Sequence, residues 1–161
     1  MNNTLTYKIL RWLTVLLVIV FLSSYGSDSE TSETKATFAD LEAAISAQVD
    51  TSVMQKADSE KLERFYGLNA ADFANCALFY PLDFMSVEEI LLIELTDPAQ
   101  ETTVRESIEA RLARQKETFD GYGSDGQYEK LCNNVRIEVR GSFLLFTVNC
   151  ESAAQAFLNT V

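Results

Sequence analysis

The chain contains no histidine among its 161 residues. That excludes Ser-His-Asp and Cys-His nucleophile activation, histidine-ligated zinc and imidazole acid–base chemistry. Any proton transfer would have to rest on carboxylates, lysine or tyrosine. Cysteine is nearly as scarce. Cys76, Cys132 and Cys150 are the only three, and no two stand close enough for a Cys-x-x-Cys redox or zinc motif. An exported chain permits one disulfide among them with a thiol left over. Cys76 and Cys150 sit in apolar runs and read as small buried hydrophobes. Positive charge is also short: 13 lysines and arginines face 24 acids, a net charge of −11. Such a surface repels phosphate backbones and anionic headgroups, so nucleic acid is excluded as a partner. No catalytic set, metal-ligand spacing or cofactor motif stands out. The expectation is a chain with no catalytic residues, no metal and no cofactor.

One long apolar run is present, at the N-terminus. Lys8 and Arg11 precede Trp12–Leu22, and Ser23-Ser-Tyr-Gly-Ser-Asp-Ser-Glu30 follows. A basic head, an apolar core and a polar exit give the layout of a secretory signal or an N-terminal membrane anchor. Extended from Tyr7 to Tyr25, the run would reach roughly 28 Å as a helix, close to a membrane span. Lys8 and Arg11 would then snorkel toward the cytoplasmic headgroups. Ser24-Tyr-Gly26 offers small residues where a signal peptidase reads, with Ser27 next. Leu22-Ser-Ser-Tyr25-Gly-Ser also has the layout of a lipobox, but Tyr25 stands where the lipidated cysteine belongs. Without that thiol there is no thioether lipid. The domain reading is therefore a signal or anchor over residues 1–26, a flexible acidic Ser/Thr linker over 27–37, and a single folded domain over 38–161. Losing the head and linker removes Lys8, Arg11 and Lys35 but also Asp28, Glu30 and Glu33, so the domain keeps the full −11.

In that domain, Thr37 and Asp40 cap a helix carrying Phe38, Leu41, Ile45 and Val49 at helical spacing. A second helix runs from Asp58 to Tyr66 and stops at Gly67, and Asn69-Ala-Ala-Asp72 adds a turn. Ala74–Tyr80 reads as a strand ended by Pro81. Glu88–Leu95 reads as a second strand, apolar on both faces and hence central. Asp97 and Pro98 supply an N-cap and a first-turn proline for the longest helix, whose stripe is Val104, Ile108 and Leu112, continued by Ala113, Gln115 or Lys116, and Phe119. Val135–Arg140 alternates cleanly as a third strand. Gly141-Ser142 is a two-residue type II′ turn into a fourth, Phe143–Asn149, again apolar on both faces. Asn149 then caps a final helix docking through Ala153, Ala154, Phe157 and Leu158. Pairing the two doubly apolar strands at the centre predicts an α+β fold: two layers, a four-stranded antiparallel sheet of order 1-2-4-3 and helices mainly on one face, with the hydrophobic N-terminal helix before it.

Candidate sites are thin. Asp120-Gly-Tyr-Gly-Ser-Asp-Gly126 has the acids and glycines of a calcium loop but lacks the ligand positions of an EF-hand. Tyr80, Tyr122 and Tyr128, with Arg136, Glu138 and Arg140 on the polar strand face, are the side chains poised for a partner. Asp83 with Glu88 and Glu89 is the acid cluster beside a strand end, where mutual repulsion would raise a carboxyl for hydrolase chemistry.

Several fold marks carry a resemblance: Leu62-Glu-Arg-Phe-Tyr-Gly-Leu68, the apolar strand closing at Pro81, Ser86-Val-Glu-Glu-Ile90, Val104 to Phe119 followed by Tyr122, and the Gly141 hairpin. Over roughly Phe38–Leu158 the chain resembles an uncharacterised family of envelope proteins from Gram-positive bacteria, many of them lipoproteins. The resemblance implies an extracytoplasmic place but carries no activity and no catalytic residues. The function expected is a non-catalytic interaction or ligand-binding module, membrane-tethered or secreted. Its partners would be the membrane through the N-terminal segment and an envelope protein or cell-wall ligand. A carboxylate-dependent hydrolase and a structural envelope or spore-assembly protein are the alternatives.

Overall fold

In chain order, helix α1 (Phe38–Ser46) is followed by strand β1 (Met54–Lys56), helix α2 (Ser59–Tyr66), a 3-10 turn at Ala70–Asp72 and strands β2 (Asn75–Pro81) and β3 (Glu89–Glu94). Helices α3 (Gln100–Phe119) and α4 (Gln127–Asn133), strands β4 (Val135–Arg140) and β5 (Phe143–Val148), and helix α5 (Glu151–Thr160) complete it. The structure is a computed structural model that describes residues 35–121 and 126–161. The signal or anchor over residues 1–26 and most of the linker lie outside the described residues, so the expected N-terminal helix does too. Among the described residues, no helix is long and apolar enough to cross a membrane.

The fold is α+β with one five-stranded sheet of order β1-β2-β3-β5-β4, antiparallel at every pairing. The four long strands take the order expected from the sequence. β3 and β5 pair at the centre, Leu91 opposite Phe146 and Ile93 opposite Leu144. Two expectations need correcting. A fifth strand, β1, flanks β2, with Met54 opposite Pro81 and Lys56 opposite Phe79. It is three residues long and buries only Met54, too short to show alternation in sequence.

The second correction concerns the layers. Helices cover both faces of the sheet, so there are three layers, not two. On one face α2, α3 and α4 pack Leu62, Ile108 and Leu131 onto Leu78, Leu91, Leu144 and Phe146. On the other, α1 and α5 pack Leu41, Ile45 and Phe157 onto Ala77, Phe79, Leu92 and Leu145. The cause is visible in the strands: β5 is buried at all six positions and β3 at five. A strand apolar on both sides is stable only when both sides are covered.

Local signals set most helix boundaries. Thr37 and Asp40 form the reciprocal capping box of α1. Asp58 caps α2, and Gly67 ends it in the left-handed region at φ 68°. A Cβ at Gly67 would meet no atom within 4 Å, so only the backbone conformation opposes one. Gly67→Ala is therefore expected to cost about 1 kcal/mol in urea denaturation. α3 begins at Gln100, later than Asp97 and Pro98 predicted. Asp97 accepts from the Ala99 amide in a turn, and the Gln100 side chain accepts from the amides of Thr96 and Asp97. Asn149 does not cap α5, whose N-cap is Cys150. Instead Asn149 sits at φ 52° and joins Asn134 to Glu88 through its side-chain amide. α4 was not expected; its sequence is polar around a single buried leucine, Leu131. At the β4–β5 turn only Gly141 has positive φ, as a type II′ turn requires.

Candidate functional site

Along β3 the side chains alternate, so Glu89 points to the same face as Leu91 and Ile93, under α2 and α3. It is fully buried. An isolated carboxylate there would be too costly to keep, so it must be paired. α3 supplies two partners one turn apart. Arg111 donates through Nη2 to Oε2 at 2.7 Å and through Nε to Oε1 at 3.3 Å, a two-pronged ion pair. Gln115 donates through Nε2 to Oε2 at 3.4 Å. α2 supplies the Tyr66 hydroxyl, which donates to Oε1. Burial, and then the Glu89 charge, push the Tyr66 phenol well above its ordinary value and keep it a donor.

The outer surface of this cluster floors a groove of about 460 Å³. The preceding residue on α2, Phe65, turns toward it, and the Arg111 guanidinium stacks on the Phe65 ring at 4.1 Å. Tyr80 at the end of β2 meets Phe65 edge-on at 5.6 Å, and Lys61 Nζ lies 5.1 Å from the Tyr80 ring centre. Arg114 stands beside them and donates to the Phe65 carbonyl. The loop after β2 forms the far wall, with Phe84 89 % exposed. Thus Lys61, Arg111 and Arg114 line the groove against one acid, Asp83, in a chain that carries −11 overall.

The acids Asp83, Glu88 and Glu89 do not act together. Asp83 turns its own loop by accepting from the Met85 amide at 2.9 Å. Glu88 bonds to Lys130 at 2.8 Å, Asn149 at 2.9 Å and Ser86 at 2.7 Å. Mutual repulsion was expected to raise a carboxyl here, yet Glu88 moves the other way. Burial pushes it up, but Lys130, Ser86, Asn149 and a backbone amide together outweigh that and hold it at about 2. Its pairing thus stabilises the fold above the ordinary glutamate value near 4.5, and this contribution fades as pH falls toward 2. Glu88→Gln is expected to flatten the loss of stability across that window, measured by urea midpoints at stepped pH.

The other sequence candidates scatter. Tyr80 lies in the groove wall. Tyr122 and most of the Asp120–Gly126 loop lie outside the described residues. Tyr128 is exposed on α4, away from the groove. Arg136 pairs with Glu151 at 3.0 Å and Arg140 with Glu138 at 3.6 Å along the edge strand β4. Cys76 and Cys150 are half-buried and Cys132 is exposed, all three as free thiols. Burial pushes the Cys150 thiol up to about 12, which keeps it protonated. Sequence reasoning gives Tyr66, Arg111 and Gln115 no part in a site. A signal existed: an acid inside a doubly apolar strand demands a cationic partner, and the neighbouring helix carries Arg111 and Arg114.

Residues 47–149 match the protein family described as a domain of unknown function, DUF4358. That span runs from just before β1 to the end of β5 and holds every residue lining the groove. No curated protein and no solved structure matches the chain.

Proposed function

The chain belongs to the DUF4358 family, a domain of unknown function, and we propose that it works as a non-catalytic ligand-binding module in a bacterial envelope. The groove between α2, α3 and the end of β2 is its binding site. The observation that carries this reading is the local reversal of charge. Lys61, Arg114 and the Glu89-paired Arg111 share one concavity of an otherwise acidic domain with the rings of Phe65, Tyr80 and Phe84. Its volume falls in the range of small-molecule sites, about 300–1,000 Å³. The buried Glu89 fixes Arg111, so that side of the groove is formed before any ligand arrives.

The N-terminal sequence supports the place of work: the extracytoplasmic face of the bacterial cell membrane, with the domain tethered by residues 1–26 or released by cleavage there. Tyr25 at the lipobox position speaks against a lipid anchor.

Two experiments test these readings. Full-length protein labelled with ¹⁵N is titrated with a fragment library. Hits are expected to move the amides of Lys61–Tyr66 and Arg111–Thr118; a library whose hits move only other regions, or that yields none, overturns the binding module. Mass determination of the protein recovered from its host's membranes and medium tests the place. An intact Met1 in the membrane gives an anchor and a start at Ser27 in the medium gives secretion, whereas recovery from the cytosol contradicts both.

A further inference from the structure

We propose that the outer edge of β4 pairs with β4 of a second copy of the chain, antiparallel about a twofold axis at Ile137, so that two sheets join into one. The contact is independent of the groove. It uses Arg136 and Glu138, side chains on the polar strand face that the groove leaves out.

The sheet ends differently on its two sides. β1 closes one side with three residues, whereas β4 leaves six at the other, without proline and in unbroken register with β5. Such an edge is a template for another strand. Asn149 donates its backbone N–H to the Asn134 carbonyl, which makes these two a hydrogen-bonded pair of the ladder. Antiparallel alternation then bonds Arg136, Glu138 and Arg140 to β5 and turns the backbone N–H and C=O of Val135, Ile137 and Val139 outward. Among the described residues no strand meets them. The Val139 carbonyl accepts from the exposed Arg140 guanidinium at 2.8 Å, which leaves its second lone pair open.

Side chains select the partner and the register. Outward residues pair only with outward residues, so a second β4 can be set only in steps of two residues. With Ile137 opposite Ile137, Val135 meets Val139, and each of these pairs exchanges two hydrogen bonds. Arg136 then faces the second copy's Glu138 on both sides of the axis, in the close pairs whose Cα atoms lie about 4.5 Å apart. Arg140 faces Asn134. One step away, the register sets Glu138 against Glu138 and Arg136 against Arg140, or Arg136 against Arg136. Two steps away, it runs into the turn at Gly141 or into α4. The present partners of Arg136 and Glu138 are surface pairs, Glu151 at 3.0 Å and Arg140 at 3.6 Å, which cost little to exchange. On the opposite face Val135, Ile137 and Val139 are half-buried against the core and close their open sides on the same residues of the second copy. β4 carries two arginines to one glutamate in a chain of −11, so two copies meet here without setting acid against acid.

Sedimentation velocity of the full chain from about 1 to about 500 µM tests this, the span over which a weak pair dissociates. The average mass is expected to climb toward that of a dimer, a weak interface in keeping with a single strand pair. Arg136→Glu or Glu138→Arg alone sets like charges opposite each other and should weaken association about tenfold. Mixed together, those two single variants present unlike charges again and should associate as the unaltered chain does. The double exchange Arg136→Glu with Glu138→Arg should do the same on its own. Hydrogen exchange at the amides of Val135, Ile137 and Val139 should slow as concentration rises. A monomer throughout the range overturns the proposal. A dimer indifferent to both charge reversals also overturns it, by placing the contact elsewhere, the N-terminal apolar run included. So does a mixture no more associated than its components. Slow exchange at those three amides that is independent of concentration overturns it too, because the edge is then covered from within the chain.

Discussion

Replacing Arg111 with methionine is expected to destabilise the domain by about 3–5 kcal/mol, the range for removing one member of a buried ion pair. The substitution keeps most of the side-chain volume over Phe65 but leaves Glu89 fully buried with only Tyr66 and Gln115 as donors. The loss should appear as a lower urea midpoint at unchanged m-value. The double variant Glu89→Leu with Arg111→Met is the informative control. With both charges gone no uncompensated ion remains, so most of the stability should return. A double variant as unstable as the single would mean that the pair holds the sheet to α3 by something other than mutual neutralisation. In the stable double variant the groove loses the guanidinium held on the Phe65 ring, which separates the pair's part in folding from its part in shaping the site.

Phe146→Ala and Phe157→Ala are expected to cost about 3–5 kcal/mol each, the range for emptying a large aromatic from a core. Phe146 is fully buried on β5 and meets the Tyr66 ring edge-on at 6.3 Å. Phe157 is fully buried on α5, in the cluster on the opposite side of the sheet. If helices covered only one face, both rings would share one cluster and their truncations would couple. Additive losses, read from urea midpoints, therefore test the three-layer arrangement itself. The two clusters lie across the sheet from each other, so the double variant should lose close to the sum.

Much of the fold was legible because hydrophobic patterning is local. The apolar runs Glu88–Leu95 and Phe143–Asn149 placed two strands at the sheet centre, and turn chemistry at Gly67 and Gly141 placed their neighbours. The same runs already implied cover on both faces, yet α1 and α5 were not assigned to the second face. Nothing in a helical stripe says which side of a sheet it meets. β1 escaped because three residues cannot display a period, and α4 because one leucine does not make a stripe. The groove was legible only at Tyr80 and Asp83. Lys61 and Phe65 come from one helix and Arg111, Arg114 and Gln115 from another, some fifty residues on. Their convergence depends on how α2 packs against α3, which no spacing within either helix records. Helical spacing puts position 115 in the apolar stripe. Its depth in the structure is right for that stripe, but its amide serves Glu89.

The most direct test of the account is a ¹⁵N–¹H titration of the full chain with the fragment library. Saturable shifts confined to Lys61–Tyr66, Tyr80–Ser86 and Arg111–Thr118, and sharply reduced in Lys61→Gln, are the expected result. No saturable shift, or shifts centred away from those segments and indifferent to Lys61, would contradict it.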